Sequence, residues 1–176
     1  MRKKPTLYII SGDGGQVAKL KFKGLEEYEA KLLKLRNVSK EMIGEAIYEG
    51  AGIVADAVKS NIESIPIDDR YVTGGAVLHG ITEEQKAGLR DGFGIARMQD
   101  DNGYLNVKLG FNGYNSVKTK NYPSGQPNSL IARSVNAGSS FRSRIPFVDN
   151  AVNQSKNAAE QKMKEKFDSA IGKIMN

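Results

Sequence analysis

Two long stretches with apolar residues at helical spacing enclose a segment of alternating residues, and this arrangement limits what the chain can fold into. The first stretch runs from Ser39, a good N-cap residue, to about Ile65, and Pro66 ends it. The second runs from Val148 to Ile174 and is amphipathic. Between them, residues 104–111 alternate with the period of a strand. The order predicts an α+β fold, in which a small antiparallel sheet packs against a long N-terminal helix and a long C-terminal helix, with extended loops.

Shorter elements are predicted around the two long helices. Asn102-Gly103 is a favoured two-residue hairpin turn, so Gly92–Met98 and Tyr104–Phe111 are expected to form a hairpin. Two polar stretches, 67–85 and 112–132, are long for ordinary connections and are predicted to be extended loops. The other predicted elements are a strand at Val17–Lys23, a helix at Leu25–Arg36 and a short strand at Leu130–Val135.

The first long helix contains three glycines, Gly44, Gly50 and Gly52. Glycine in a helix interior costs about 1 kcal/mol relative to alanine, so three of them indicate close approach of another part of the backbone. The simpler interpretation is a tightly packed core between this helix and the sheet.

Composition excludes several kinds of catalytic chemistry. The chain has no cysteine and a single histidine, His79, so disulfides, thiolate nucleophiles, Cys/His zinc sites and iron–sulfur clusters are impossible. A Ser-His-Asp triad would need His79, which we expect to be an ordinary loop histidine because no nucleophile-elbow sequence occurs. We therefore expect no enzyme, no catalytic residue, no metal and no cofactor. The remaining catalytic hypothesis is a carboxylate-metal hydrolase that uses Asp68, Asp69, Asp100 and Asp101.

No apolar run is long enough to cross a bilayer, because charged residues interrupt the best candidate, residues 46–67. The basic residues 2–4 are followed by too short an apolar segment for a signal peptide. We expect a soluble intracellular protein, or part of an assembly built inside a cell, without a membrane partner. For the C-terminal helix, packing on the domain core or on a neighbouring subunit is favoured over a membrane-surface role.

Charge is unevenly distributed along the chain. The formal net charge is +6, and no acidic residue occurs from Asn102 through Val148. One region of the surface is therefore expected to be positive, which suits a polyanion or an acidic protein. The candidate contacts with DNA or with an acidic partner are Lys118, Lys120 and Arg133.

Four segments together resemble a known family. They are a strand leading into Gly-Leu-x-x-Tyr at 22–28, residues 50–59, which approximate the pattern Gly-Ala-x-x-Val-x-x-x-Ala-Lys, Pro-Ile-Asp at 66–68 with Thr73-Gly74 after an insertion, and Arg-Ile-Pro-Phe at 144–147. In their order and spacing they resemble the neck, or tail-completion, family of long-tailed (siphovirus-type) bacteriophages, whose members join head to tail and are often described as tail components. The resemblance covers roughly residues 19–174.

The resemblance implies a structural virion protein with a single neck domain at residues 19–176 and an N-terminal extension at residues 1–18. Such proteins form a homo-oligomeric ring, here expected to be a hexamer, between the head-closure (stopper) protein and the tail terminator and tail tube proteins. Genomic DNA passes through the ring. The implied location is the virion, with the host cytoplasm as the site of assembly.

Contacts with other subunits or partners are expected in two places. After the first long helix the candidates are Pro66, Asp68, Tyr71, Thr73 and Gly74. Before the last helix they are Arg142, Arg144 and Phe147, of which Phe147 suits the core better than an interface. The alternative function is a basic nucleic-acid-binding protein, because of the positive charge.

Overall fold

The fold is given by a computed structural model that describes residues 6–9, 18–23, 40–70 and 76–175, with the backbone alone for the first two segments and for residues 173–175. The helix predicted at Leu25–Arg36 lies outside these residues. The helices are α1 (Lys40–Glu63), α2 (Glu83–Gly92), α3 (Asn128–Ala137) and α4 (Phe147–Met175). The strands are β1 (Thr6–Ile9), β2 (Ala18–Lys23), β3 (Phe93–Ile95), β4 (Gln99–Asp101) and β5 (Tyr104–Phe111).

All strand pairs are antiparallel, and the sheet has the order β1-β2-β5-β3, with β4 also paired to β5. The sheet and the long helices together confirm the predicted α+β class. Strand β2 confirms the strand predicted near residues 17–23. The pairing of β1 with β2 extends the sheet into the segment named above as the N-terminal extension. The domain division at residue 18 stays a prediction.

The predicted hairpin is confirmed, with an added irregularity. Asn102 and Gly103 have φ values of 56° and 89°, as a type I′ turn requires. Between the pairs Ile95–Leu109 and Gln99–Asn106, three residues of one strand oppose two of the other, which is a β-bulge. The bulge interrupts the predicted strand and separates β3 from β4.

Tyr48 of α1 forms hydrogen bonds with the backbone of this bulge. Its hydroxyl accepts a hydrogen bond from the Met98 amide at 2.7 Å and donates one to the Ala96 carbonyl at 3.4 Å. Backbone groups that the bulge leaves without a strand partner therefore bind a side chain instead. The contact fixes α1 against the sheet.

The two long helices are confirmed and pack side by side in opposite directions. Near the C-terminus of α1, the Asn61 side chain donates a hydrogen bond to the Phe147 carbonyl at the start of α4. Near the N-terminus of α1, the carboxylates of Glu45 and Glu49 each have an oxygen 3.5 Å from Nζ of Lys166 in α4. The apolar face predicted for the C-terminal helix packs on α1 and the core, as expected; its buried members include Val148, Val152, Ala159, Met163, Phe167 and Ala170.

The two helices approach each other closely at Gly50. A Cβ there would lie 2.6 Å from Met163 Cγ and 3.3 Å from the Ala159 carbonyl oxygen. The predicted close approach is thus confirmed for Gly50, and the neighbour is α4. A Cβ at Gly52 would have no neighbour within 4 Å, so that glycine serves no close packing among the described residues.

The core lies between α1, the sheet and the N-terminal part of α4. Val107, Leu109 and Phe111 of β5 are buried on one face, as the alternation predicted. The Phe111 ring lies 4.9 Å from that of Phe93 and 5.9 Å from that of Phe147, so β3, β5 and α4 meet in one aromatic cluster.

Two sequence predictions are corrected by the structure. The strand predicted at Leu130–Val135 is wrong, because this segment belongs to α3 and buries Ile131, Ala132 and Val135 at helical spacing. The long loop predicted to reach Gln85 ends earlier, because α2 begins at Glu83 and is capped by Thr82. α2 has few apolar residues, so its sequence lacks the periodic signal of a buried helix.

Alanine substitutions at Gly50 and Gly52 test the packing of α1 against α4. We expect Gly50→Ala to lower the free energy of unfolding by about 1–3 kcal/mol, because Met163 must move and the helices separate. Gly52→Ala should raise it by about 0.5–1 kcal/mol, through helix propensity alone. Urea denaturation measures both, and equal effects of the same sign would contradict the assigned contact.

Candidate functional site

The loop after α1 and the loop before α4 are joined by backbone hydrogen bonds. Leu78 N–H donates to the Phe141 carbonyl and Ser143 N–H donates to the Leu78 carbonyl, both at 2.9 Å. The two loops, here called the loop junction, comprise residues 64–70, 76–82 and 138–146. The loop that follows α1 and the loop that precedes α4 thus form one structural unit.

Within the first loop, the chain folds back on itself. Asp68 N–H donates to the Ile81 carbonyl at 2.9 Å, and Ile81 N–H donates to the Pro66 carbonyl at 3.1 Å. A Cβ at position 80 would lie 2.2 Å from the Pro66 carbonyl oxygen, so the close approach requires Gly80. Both ends of this loop are therefore held together.

The carboxylate of Asp68 organises this loop. Arg70 donates to it from Nε and Nη2, both at 2.7 Å, and the His79 amide donates at 2.7 Å. The side chain is only 8% exposed, although Arg70 is largely open to solvent. The Arg70 guanidinium, and then the His79 amide, hold the pKa of Asp68 far below its usual range. The His79 ring, in turn, lies 3.0 Å from the Ser143 hydroxyl of the second loop.

Arg142 of the second loop is buried, with 4% of its surface exposed. Its guanidinium donates to Gln85 Oε1 at 3.3 Å and to the Ser134 hydroxyl at 3.4 Å. Burial lowers the pKa of Arg142, and the negative charge of Asp68 opposes this effect. Gln85 also donates to Gln126 at 2.7 Å, so the buried arginine connects the loop junction to α2, α3 and the loop before α3.

Lys86 sets the position where the first loop leaves α1. Its ammonium group donates to the carbonyl oxygen of Glu63, the last residue of α1, at 2.6 Å and to that of Ile65, just beyond the helix, at 3.0 Å. A buried cation at this point satisfies carbonyls that have no partner within the helix and interacts favourably with the helix dipole.

The start of α4 is held by α3 and by Arg144. Asn136 Oδ1 accepts hydrogen bonds from the amides of Val148 at 2.9 Å and Asp149 at 3.3 Å, which caps α4. Arg144 donates to the Asn136 carbonyl at 3.2 Å and to the Asp149 carboxylate at 2.9 Å. Arg144 therefore anchors the approach to the last helix.

The predicted interface residues have different environments. Pro66 and Arg144 are exposed, and Asp68 is mostly enclosed. Arg142 and Phe147 are buried, so the side chain of neither is open to a partner. Tyr71, Thr73 and Gly74 lie outside the described residues.

Three apolar side chains that the sequence analysis did not select are exposed at the loop junction. Ile67, Val77 and Phe141 are 43%, 36% and 51% exposed. The Phe141 ring lies over the Arg142 guanidinium at 5.8 Å, so a buried cation holds it in place. One feature of the sequence could have identified these three residues: each of them lies within three positions of a predicted interface residue or motif.

The segment predicted as an extended loop at 112–132 is an ordered hairpin-like arm followed by α3. We call residues 114–127 the arm. Asn115 N–H donates to the Gln126 carbonyl at 2.9 Å, and Thr119 and Tyr122 exchange two hydrogen bonds of 3.1 Å near the tip. Gly125, with a φ of 116°, brings its backbone against Asn115. Lys118 and Lys120 of the arm, and Arg133 of α3, are exposed.

The acidic residues considered for a metal do not gather into a site. In the described ranges, no group of three or more Asp, Glu or His side chains could hold a metal ion. Asp68 is bound to Arg70, and Asp100 forms an ion pair with Lys40. The carboxylates of Asp68 and Asp100 are therefore engaged in ion pairs within the protein.

Neither the helices nor the comparisons add a functional assignment. No helix in the described part of the chain combines the length and apolar character needed to span a membrane. No protein-family model matches the sequence, and neither a curated protein nor a solved structure matches it.

The Asp68 contacts predict a specific pH dependence. Because its pKa is lowered in the folded state, the ionised carboxylate contributes stability above its unfolded pKa of about 4, and this contribution is lost as the pH falls towards the lowered value. We expect Asp68→Asn to be less stable than the wild type at neutral pH, with a difference that shrinks below about pH 4. Urea denaturation across this range, with the exposed neighbour variant Asp69→Asn as the control, measures it. A difference independent of pH would contradict the assigned role.

Proposed function

We propose that this chain is a structural subunit of a bacteriophage neck, forming a ring between the head-closure complex and the tail terminator and tail tube, with DNA passing through. The observation that carries the proposal is the loop junction. Its two loops contain or adjoin segments 66–68 and 144–147, two of the four that resemble the neck family, and the backbone hydrogen bonds of Leu78 with Phe141 and Ser143 join these loops. The proposed ring is a hexamer that is assembled in the host cytoplasm and retained in the virion.

The bonding at the loop junction supports a structural function. Asp68 is bound to Arg70 and to the His79 amide, and Arg142 is bound to Gln85. These polar groups hold the two loops in one conformation. A surface fixed in this way loses little conformational entropy when a partner binds it.

The apolar side chains at the junction supply the proposed contact. Ile67, Val77 and Phe141 project from the fixed loops and are partly exposed. Aromatic and aliphatic anchors of this kind form the centres of protein interfaces. We assign this surface to contact with an adjoining ring of the virion.

Removing an anchor should weaken the joining of heads to tails. Truncating a central aromatic residue costs about 2 kcal/mol or more at an interface, so we expect Phe141→Ser to reduce the fraction of joined particles. Tyr104→Ser is the matched control, because Tyr104 is 58% exposed but lies at the hairpin away from the junction. Electron microscopy of particles from a phage that makes only the variant gives the fractions.

Two results of this experiment are decisive. Normal head–tail joining in particles without any copy of the protein would refute the proposed function. Normal joining with Phe141→Ser would leave the function standing but remove the loop junction as the contact.

A basic nucleic-acid-binding protein is the second candidate. It is favoured by the exposed Lys118, Lys120 and Arg133, which lie in the segment without acidic residues. Phosphate contacts made by such residues would not depend on base sequence.

A salt titration separates this candidate from the first. If the arm binds duplex DNA, the logarithm of the affinity should fall with the logarithm of salt, with a slope of about −0.9 for each phosphate contact. Replacing Lys118 and Lys120 by alanine should make that slope shallower by about 1.8. No binding near physiological salt would dismiss free DNA binding as the function.

A further inference from the structure

The turn of the β4–β5 hairpin contains an unusual backbone position. In the described part of the chain, Asn102 is the one residue other than glycine with a positive φ, 56°. Its side chain is exposed and forms no hydrogen bond with any described residue. A Cβ at Gly103, the next residue, would have no neighbour within 4 Å. The Asn102 carboxamide is therefore free to rotate towards the backbone of Gly103.

Asparagine followed by glycine is a sequence prone to deamidation, because glycine has no side chain to shield its own backbone nitrogen. That nitrogen attacks the side-chain carbonyl carbon of asparagine and forms a five-membered succinimide, and the side-chain nitrogen leaves as ammonia. Water then opens the ring to aspartate or to isoaspartate, in which the chain continues through the side-chain carbonyl. The reaction consumes nothing except water.

The carboxylate of Asp100 lies where this reaction needs a proton acceptor. Gly103 N–H donates to Asp100 Oδ1 at 2.6 Å. As the nitrogen bonds to carbon it becomes positively charged, so its proton becomes acidic and can pass to a carboxylate within hydrogen-bond distance. Lys40, which binds the other oxygen of Asp100, and then the Gly103 amide hold the pKa of this carboxyl below its usual value. Asp100 is thus ionised at neutral pH.

A second Asn-Gly pair, Asn112-Gly113, is also exposed but is held differently. Gly113 N–H donates to the Asn112 side-chain oxygen at 2.8 Å. An N–H bond lies in the plane of its peptide group, whereas attack requires the carbon to lie above that plane. The Asn112 N–H donates to the Gly92 carbonyl, and Asn128 binds the carbonyls of both Asn112 and Gly113. Because ring closure would break several of these bonds, the fold should protect Asn112.

We propose that Asn102 is a self-modification site at which the Gly103 nitrogen attacks the carboxamide in the folded protein. Asp100 accepts the proton of that nitrogen and returns it to the departing amine, so that ammonia leaves and the succinimide forms. Water then gives aspartate or isoaspartate, which places a new carboxylate beside Asp100 and, in isoaspartate, an extra carbon atom in the turn. Because Asp100 also binds Lys40 at the start of α1, the modification acts on the link between the hairpin and that helix.

Peptide mapping by mass spectrometry during incubation at neutral pH tests the proposal. The full-length chain is incubated once folded and once in guanidinium chloride, and conversion at Asn102 is compared with conversion at Asn112. We expect Asn102 to react about tenfold or more faster than Asn112 in the folded protein, and the two to react at similar rates in the denatured chain. The Asn102 peptide should yield both aspartate and isoaspartate, the products of a succinimide.

Two variants test the role of Asp100. Asp100→Ser removes the carboxylate and should slow conversion at Asn102 by about tenfold in the folded chain, with no effect in the denatured chain. Lys40→Gln is the matched control, because it also breaks the ion pair between the hairpin and α1 but keeps the carboxylate that binds Gly103. Its rate should equal that of the wild type or exceed it. Circular dichroism establishes that each variant is folded.

Several results would overturn the inference. If Asn112 reacts as fast as Asn102 in the folded protein, or if the denatured chain shows the same preference for Asn102, the fold does not select the site. Aspartate formed without isoaspartate would exclude the succinimide. A rate that does not fall in folded Asp100→Ser, or that falls equally in Lys40→Gln, would remove Asp100 as the proton acceptor. The inference is independent of the proposed neck function, which the head–tail joining experiment tests separately.

Discussion

The antiparallel packing of α1 on α4 determines where the two loops that flank these helices lie. At Gly50 the helices approach so closely that a Cβ would contact Met163, and at one end Asn61 binds the start of α4. Because the helices run in opposite directions, the end of α1 lies beside the beginning of α4. The loop that leaves α1 and the loop that enters α4 must therefore meet, and the loop junction follows directly from the helix pair.

The elements with strong periodic signals could be predicted from sequence. α1, α4 and β5 each present an apolar face of clear period, and Asn102-Gly103 specifies its own turn geometry. α2 and α3 could not be predicted, because each is only 10 residues long and depends on tertiary partners. Gln85 and Lys86 of α2 are buried polar residues, which composition alone marks as surface. In α3, the run from Leu130 to Val135 fits a strand as well as a helix until its neighbours are known.

The candidate site was predictable as a set of segments but not as a set of surfaces. The sequence indicated the regions around Asp68 and Arg144, and both residues hold the ends of loops that meet. It could not show that Arg142 and Phe147 are enclosed while Phe141 is open, since adjacent residues differ only in the direction that the fold gives their side chains. Exposure of an apolar residue is a property of the tertiary structure, and the sequence alone does not determine it.

The cap on α4 has a mechanical consequence. A single amide oxygen, that of Asn136, receives two N–H groups from the first turn of α4, so one side chain of α3 locates the beginning of the longest helix. The first turn of α4 is therefore positioned by α3 as well as by the chain segment that links the two helices, so a shift of α3 would carry the start of α4 with it.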